Sequence, residues 1–381
     1  MADIQGTVDE RFASVADVLS GNLDSGADVG ASVCVVHDGE TVVDIWGGTI
    51  DDDGTPWAED TIINVWSTTK TMTFLTALLL ADRGELDFHA PVAAYWPEFA
   101  ANGKEAIEVR HLMSHTAGLA GWVEPIEEAD LYDWEKATSL LAAQAPLWEP
   151  GTRSGYHALT QGYLVGEVIR RVTGGTTVGQ LFAKEIAGPL GADFHIGTAP
   201  EHDHRVALVI PPDQTFGEQI GHLDPALASA MSHPPTDARW SWSEAWRRAE
   251  IPAAGGHGNA RSVARAQSVL SHGGEVDGIR LLSPAGCEVV FELQISGEDL
   301  ILPLPVTFGM GYGISSPEMP IGPNARTCFW GGWGGSIVIN DLENRLTIAY
   351  VMNKMGQGTT GDDRGIGLVF ATYGSILGAL G

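Results

Sequence analysis

Two apolar hairpin patterns, one near each end of the chain, constrain the fold more than any other feature. ASVCVVHDGETVVDIWGG, residues 31–48, has two apolar runs around His37-Asp38-Gly39. SIVINDLENRLTIAYVMN, residues 336–353, repeats the pattern around a turn at Asp341 to Asn344. Apolar runs joined by turn residues read as paired strands. The periodicity between them is mostly helical. One antiparallel sheet built from both termini and flanked by helices is therefore expected, an α/β (α+β) architecture with an inserted mostly helical domain. The expected division is 1–75 with 256–381 for the sheet domain and 76–255 for the insert. Terminal helices are predicted over 7–23 and about 364–380. Further helices are predicted from near Ser67 to Gly84, over VRHLMSHTAGL up to Gly118, and over ALTQGYLVGEVIRRVTGG up to Gly174 and Gly175. Residues 197–255, with Pro211-Pro212, Pro234-Pro235 and Trp240, Trp242 and Trp246, read as irregular loops around a cleft.

Charge narrows the partners. Acidic residues outnumber Lys and Arg 49 to 21 across 381 residues, a net charge of -28. Phosphate backbones and anionic lipid both need clustered cations, so neither nucleic acid nor a membrane surface is an expected partner. No apolar run is long enough to span a bilayer. The opening MADIQGTVDERF has no basic start and no apolar core, so no secretory signal is read there. A cytoplasmic protein is the expectation. Cys34, Cys287 and Cys328 form no spaced pair and read as small buried apolar residues.

The chemistry starts at NVWSTTKTMTFLTALLLADRG, residues 64–84. The chain has five lysines, and only Lys70 leads straight into an apolar run. Ser67 and Lys70 are three apart, so on a helix they share a face. Serine needs a base before it is a useful nucleophile. Lysine serves as that base only if its pKa falls from about 10.4 toward 7, roughly 4 kcal/mol against the ammonium, which burial can supply. Tyr156, in EPGTRSGYHALTQGYL, precedes a predicted helix and could aim its hydroxyl at the same point. Lys70 and Tyr156 would titrate as a pair, which leaves open which takes the first proton. FWGGWGGSIVIND, residues 329–341, places glycines at a strand start, where a main-chain N–H can face an oxyanion.

Other patterns are weaker. There is no G-x-S-x-G and no H-E-x-x-H. His111 and His115 have i, i+4 spacing without an evident third ligand, so no metal site is assigned. His202 and His204 read as solvated surface, and Gly255-Gly256-His257-Gly258 lacks a phosphate-cradle pattern.

Taken in order, these segments resemble the serine β-lactamase-like superfamily, specifically the class C β-lactamase-related esterases (family VIII carboxylesterases). The likeness runs from about residue 10 to 375. It rests on WSTTK at 66–70, GELDFHAPVAAYWPEF at 84–99, VRHLMSHTAGL at 109–119 and PGTRSGYHALTQGYLVGEVIRRVTG at 150–174. GHGNARSVAR at 256–265, LLSPAG at 281–286, MGYGI at 310–314 and WGGWGGS at 330–336 complete it. The resemblance implies Ser67 as the acylated nucleophile, Lys70 and Tyr156 as its proton partners, and the N–H groups of Ser67 and Trp333 as the oxyanion hole. The Y-x-N motif of the β-lactamases reads Tyr156-His157-Ala158 here, and K-T-G reads Trp330-Gly331-Gly332. Trp330, Gly331, Gly332 and His157 are expected to bind substrate. Loss of the amide and the cation points to neutral short-chain or aryl carboxylic esters, hydrolysed through an acyl-enzyme with no metal or organic cofactor. An acyltransferase or amidase is the alternative, with a β-lactamase or a non-catalytic binding protein behind it. The expected partner is a small-molecule ester, and the oligomeric state is left open.

Overall fold

The computed structural model describes residues 2–219, 223–359 and 361–378. Its centre is an antiparallel nine-stranded sheet. The strands are β1 (Ile4–Val8), β2 (Gly30–His37), β3 (Glu40–Gly48), β4 (Ile295–Glu298), β5 (Pro305–Phe308), β6 (Gly313–Ile314), β7 (Thr327–Gly331), β8 (Ile337–Asp341) and β9 (Leu346–Met352). They run in the order β1-β3-β2-β9-β8-β7-β6-β5-β4. The two terminal hairpins meet where β2 pairs with β9, Val33 opposite Tyr350 and Val35 opposite Ile348. A sheet from both termini, as expected, is the architecture found.

The central strands β2, β8 and β9 are buried almost throughout because both faces are covered. Thr347 of β9 reaches Ser271 of one helix, α4 (Ala260–Ser271), at 2.7 Å. Tyr350, of opposite parity, lies beside Gly365 of α5 (Asp363–Leu377). Helix α5 packs with α1 (Ala13–Asp24). Helix α2 (Thr69–Asp82) runs through the interior, and all twelve residues from Thr69 to Leu80 are buried. A helix apolar all round must be enclosed, which is why TMTFLTALLL shows no polar face. Leu78→Ala should lower unfolding stability by about 2–5 kcal/mol in a denaturant titration, since the void left inside α2's packing cannot collapse. Helix α3 (Thr160–Val172) is the predicted amphipathic helix; Gly174 and Gly175 follow it with φ +71° and +114°.

Two local expectations are corrected. Residues 7–23 do not form one helix: Ile4–Val8 is an edge strand, and Asp9 caps a tight turn before α1 begins at Ala13. The edge position exposes four of the strand's five residues, so the sequence carries no alternation to reveal it. The 109–119 helix stops at Met113, because His115 turns left-handed at φ +60°. His111 and His115 therefore share no helical face. Residues 295–314 add three strands too short and too broken by Gly and Pro to show a period.

Candidate active site

A short antiparallel pair, Ile63–Asn64 with His257–Gly258, delivers the chain to the start of α2. Trp66 then turns left-handed at φ +49°, a strained state worth about 1–3 kcal/mol for a bulky residue. Packing holds it there: its ring lies 5.5 Å from that of Trp246 and 5.0 Å, edge on, from that of Trp333. This bend places Ser67 at the mouth of the buried helix, with Lys70 one turn on.

The nitrogen of Lys70 lies 3.2 Å from Ser67 Oγ. It also donates to the carbonyls of Ala158 at 2.7 Å and Ala253 at 3.0 Å. Lys70 is 1% exposed, and burial alone drives its pKa well below that of an ordinary lysine. Tyr156 donates its phenolic hydrogen to Ser67 Oγ at 2.6 Å. Burial pushes that phenol up, the Ser67 and Trp330 contacts opposing it and the Asp299 charge adding to it. Two groups thus converge on the serine oxygen: the amine of Lys70 and the phenol of Tyr156.

The turn Gly332–Gly335 between β7 and β8 closes the site. Ser336 Oγ bonds to Val65 O and to Thr68 Oγ1, each at 2.9 Å, and fastens the turn to the nucleophile segment. Gly332 must be glycine, because a Cβ there would stand 2.4 Å from Val65 O. Among the described residues, the N–H groups of Ser67 and Trp333 have no backbone acceptor, and both residues line the same cleft. That cleft, about 550 Å³ when the open solvent at its mouth is included, is walled by Trp122, Leu159, Phe216, Met231 and Pro234. Among the described residues it carries no Lys, Arg, Asp or Glu.

The beta-lactamase family pattern matches residues 15–370. The chain belongs to the beta-lactamase family. Esterase/beta-lactamase LipL of Mycobacterium tuberculosis is 36% identical over 365 residues, 92% of this chain and 83% of LipL. The crystal structure of a family VIII carboxylesterase superposes with a TM-score of 0.92 at 42% identity, covering 98% of this chain and 100% of that one. A penicillin-binding protein homologue from Caulobacter crescentus superposes at 0.91 and 39% identity, with 98% and 100% covered.

Within this beta-lactamase-family site, Ser67, Lys70, Tyr156 and Trp333 come together. Of the residues expected to bind substrate, His157, Trp330, Gly331 and Gly332 are not among those lining the cleft. His157 is wholly buried; it holds Gly155 O through Nδ1 and accepts the Leu119 N–H on Nε2. Its pKa drops to about 3 by burial, so it is a neutral structural ring. Trp330 fills the space behind Tyr156, stacked 5.3 Å from His115 at 18° and edge on to Phe74. Trp330 and Gly331 line a second apolar cavity with Leu302, Leu304 and Phe308, which Ser67 does not reach. Gly332 serves the close approach to Val65. Trp240, Trp242 and Trp246 do not wall the cleft; Trp246 supports Trp66 from below. The cleft's real walls, Trp122, Phe216 and Met231, belong to no motif, and only the loop-rich composition of 197–255 hinted at part of them.

Proposed function

We propose that this chain is a carboxylic ester hydrolase that works through an acyl-enzyme on Ser67. The observation that carries the reading is the double contact on Ser67 Oγ, from Lys70 at 3.2 Å and Tyr156 at 2.6 Å. A neutral amine has two hydrogens and one lone pair. The carbonyls of Ala158 and Ala253 take the two hydrogens, which leaves the lone pair for the serine O–H. Lys70 therefore accepts the first proton. Tyr156, kept protonated by burial, cannot be that base and suits proton donation to the leaving alkoxide. The Ser67 and Trp333 N–H groups hold the tetrahedral oxyanion. Water then enters, Lys70 assists its attack, and the acid leaves.

The uncharged, aromatic cleft favours neutral short-chain or aryl esters. Relatives named as esterases and a family VIII carboxylesterase neighbour support ester hydrolysis. The three unpaired, buried cysteines suit a reducing cytoplasm, and among the described residues no helix is long and apolar enough to cross a membrane. A panel of nitrophenyl acetate, nitrophenyl butyrate, a nitrophenyl hemisuccinate and a chromogenic cephalosporin tests the proposal. The two neutral esters should be turned over at least about tenfold faster by kcat/KM than the anionic pair, because no cation waits for a carboxylate. Preference for the cephalosporin would overturn the reading.

A further inference from the structure

Asp299 follows β4 directly and is only 8% exposed. One of its oxygens, Oδ1, accepts three backbone N–H groups: Tyr156 at 3.1 Å, Ile301 at 2.8 Å and Leu302 at 2.9 Å. The other, Oδ2, is buried without a partner among the described residues. A carboxylate is an expensive group to bury this way, and an ordinary loop has no need of one. The three charge-assisted bonds on Oδ1 offset the cost, and one of them ends on the backbone of Tyr156. The same loop grips that segment again, where Leu300 N donates to Ser154 O at 2.9 Å. Ile301 and Leu302 also line a wider cleft beside Tyr156, with Phe216 and Thr359. Asp299 thus ties the phenol's backbone to the wall of the space next to it. From the other side, His115 Nδ1 takes the N–H of His157 at 3.0 Å. Tyr156 is clamped between two anchors.

We propose that Asp299 is a positioning residue that holds Tyr156 as the proton donor to the leaving alcohol. The proposal rests on the reading of Tyr156 given above. In that step the bond between the carbonyl carbon and the alcohol oxygen breaks, and its electron pair stays on the oxygen. The phenol hydrogen moves to that oxygen. The proton Lys70 took from Ser67 then returns to the phenolate, and the balance closes.

The leaving group makes the role measurable. An alkoxide must be protonated as it departs, whereas a nitrophenolate leaves unaided. The constant kcat/KM covers the steps up to alcohol release, so deacylation does not blur it. Asp299→Ala should lower kcat/KM on an ethyl ester about 100-fold, within the usual range for general acid catalysis, and on the nitrophenyl ester of the same acid less than about fivefold. Asp299→Asn keeps an oxygen for the three N–H groups and should restore the ethyl ester to within about fivefold of wild type. Tyr156→Phe should show the same selective loss as Asp299→Ala. Should the alanine variant not fold, Asp299→Glu carries the same test: the charge stays, the oxygen shifts by a methylene, and the ethyl ester alone suffers. Equal losses on both esters from Asp299→Ala or Asp299→Glu, beside a selective loss in Tyr156→Phe, would overturn the inference and leave the reaction scheme standing. Equal losses in Tyr156→Phe itself would overturn the scheme, and the inference with it.

Discussion

Ser67→Ala should remove ester turnover, with kcat on a nitrophenyl acetate falling by about 10⁴-fold or more, as when the nucleophile of a serine hydrolase is deleted. The reason is local. Ser67 Oγ is the one atom on which both Lys70 and Tyr156 converge. Without it the amine has no proton to take and the acyl group has nowhere to rest. The fold should survive, because Ser67 lies in a tight turn fixed by Trp66, Val65 and Ser336, not by its own hydroxyl. The checks are a steady-state assay and a thermal scan: activity lost, Tm within a few degrees. A variant with wild-type rate would end the assignment.

Lys70→Met comes next, with an expected loss of about 10³-fold in kcat/KM, in the range attributed to a positioned base. Methionine matches the length of the side chain and offers no lone pair. The pH profile carries the sharper evidence. A protonated Lys70 cannot accept the serine proton, so wild-type kcat/KM falls as pH falls through the pKa of this amine. An ordinary lysine would put that limb near pH 10.4, and burial moves it well below that. The residual rate of Lys70→Met should lack this limb. Stability follows the same sign. The folded chain binds fewer protons at Lys70 than the unfolded chain, so stability rises with pH between the lowered folded value and about 10.4. His157 and His257, each held down to about 3 by burial, add a loss of stability as pH drops below about 6.5. A wild-type profile with no acid limb in kcat/KM would contradict a lysine base.

The parts of this site that could be read in the sequence were those whose geometry is local. Ser67 and Lys70 are one helical turn apart, and helical geometry alone brings them within 3.2 Å. Tyr156 needed its motif and its place in a family order, because 89 residues separate it from Ser67. Trp330 shows where such reading fails. Its position in the motif was legible, but its direction was not. That direction is set by His115, whose left-handed backbone no pattern announced. Asp299 was invisible for the same reason: one of two adjacent acids at the start of an apolar run, bonded to a residue 143 positions away. The hairpins at 31–48 and 336–353 were plain because turn residues separate continuous apolar runs. The edge strand β1 and the short β4 to β6 were not, since exposure and brevity erase the signal.

The pairing of β2 with β9 has a consequence for how the chain is made. The strand that completes the N-terminal hairpin is translated about 300 residues later, roughly 15–60 s at ordinary elongation rates. Until then the bare rim of β2, Val33 to Val36, has no native neighbour and is open to pairing with other nascent chains. The turn at 332–335 that completes the pocket of Ser67 is translated about 265 residues after it. On this order of synthesis the pocket around Ser67 is complete only once that turn is made, later than in a fold built from neighbouring segments.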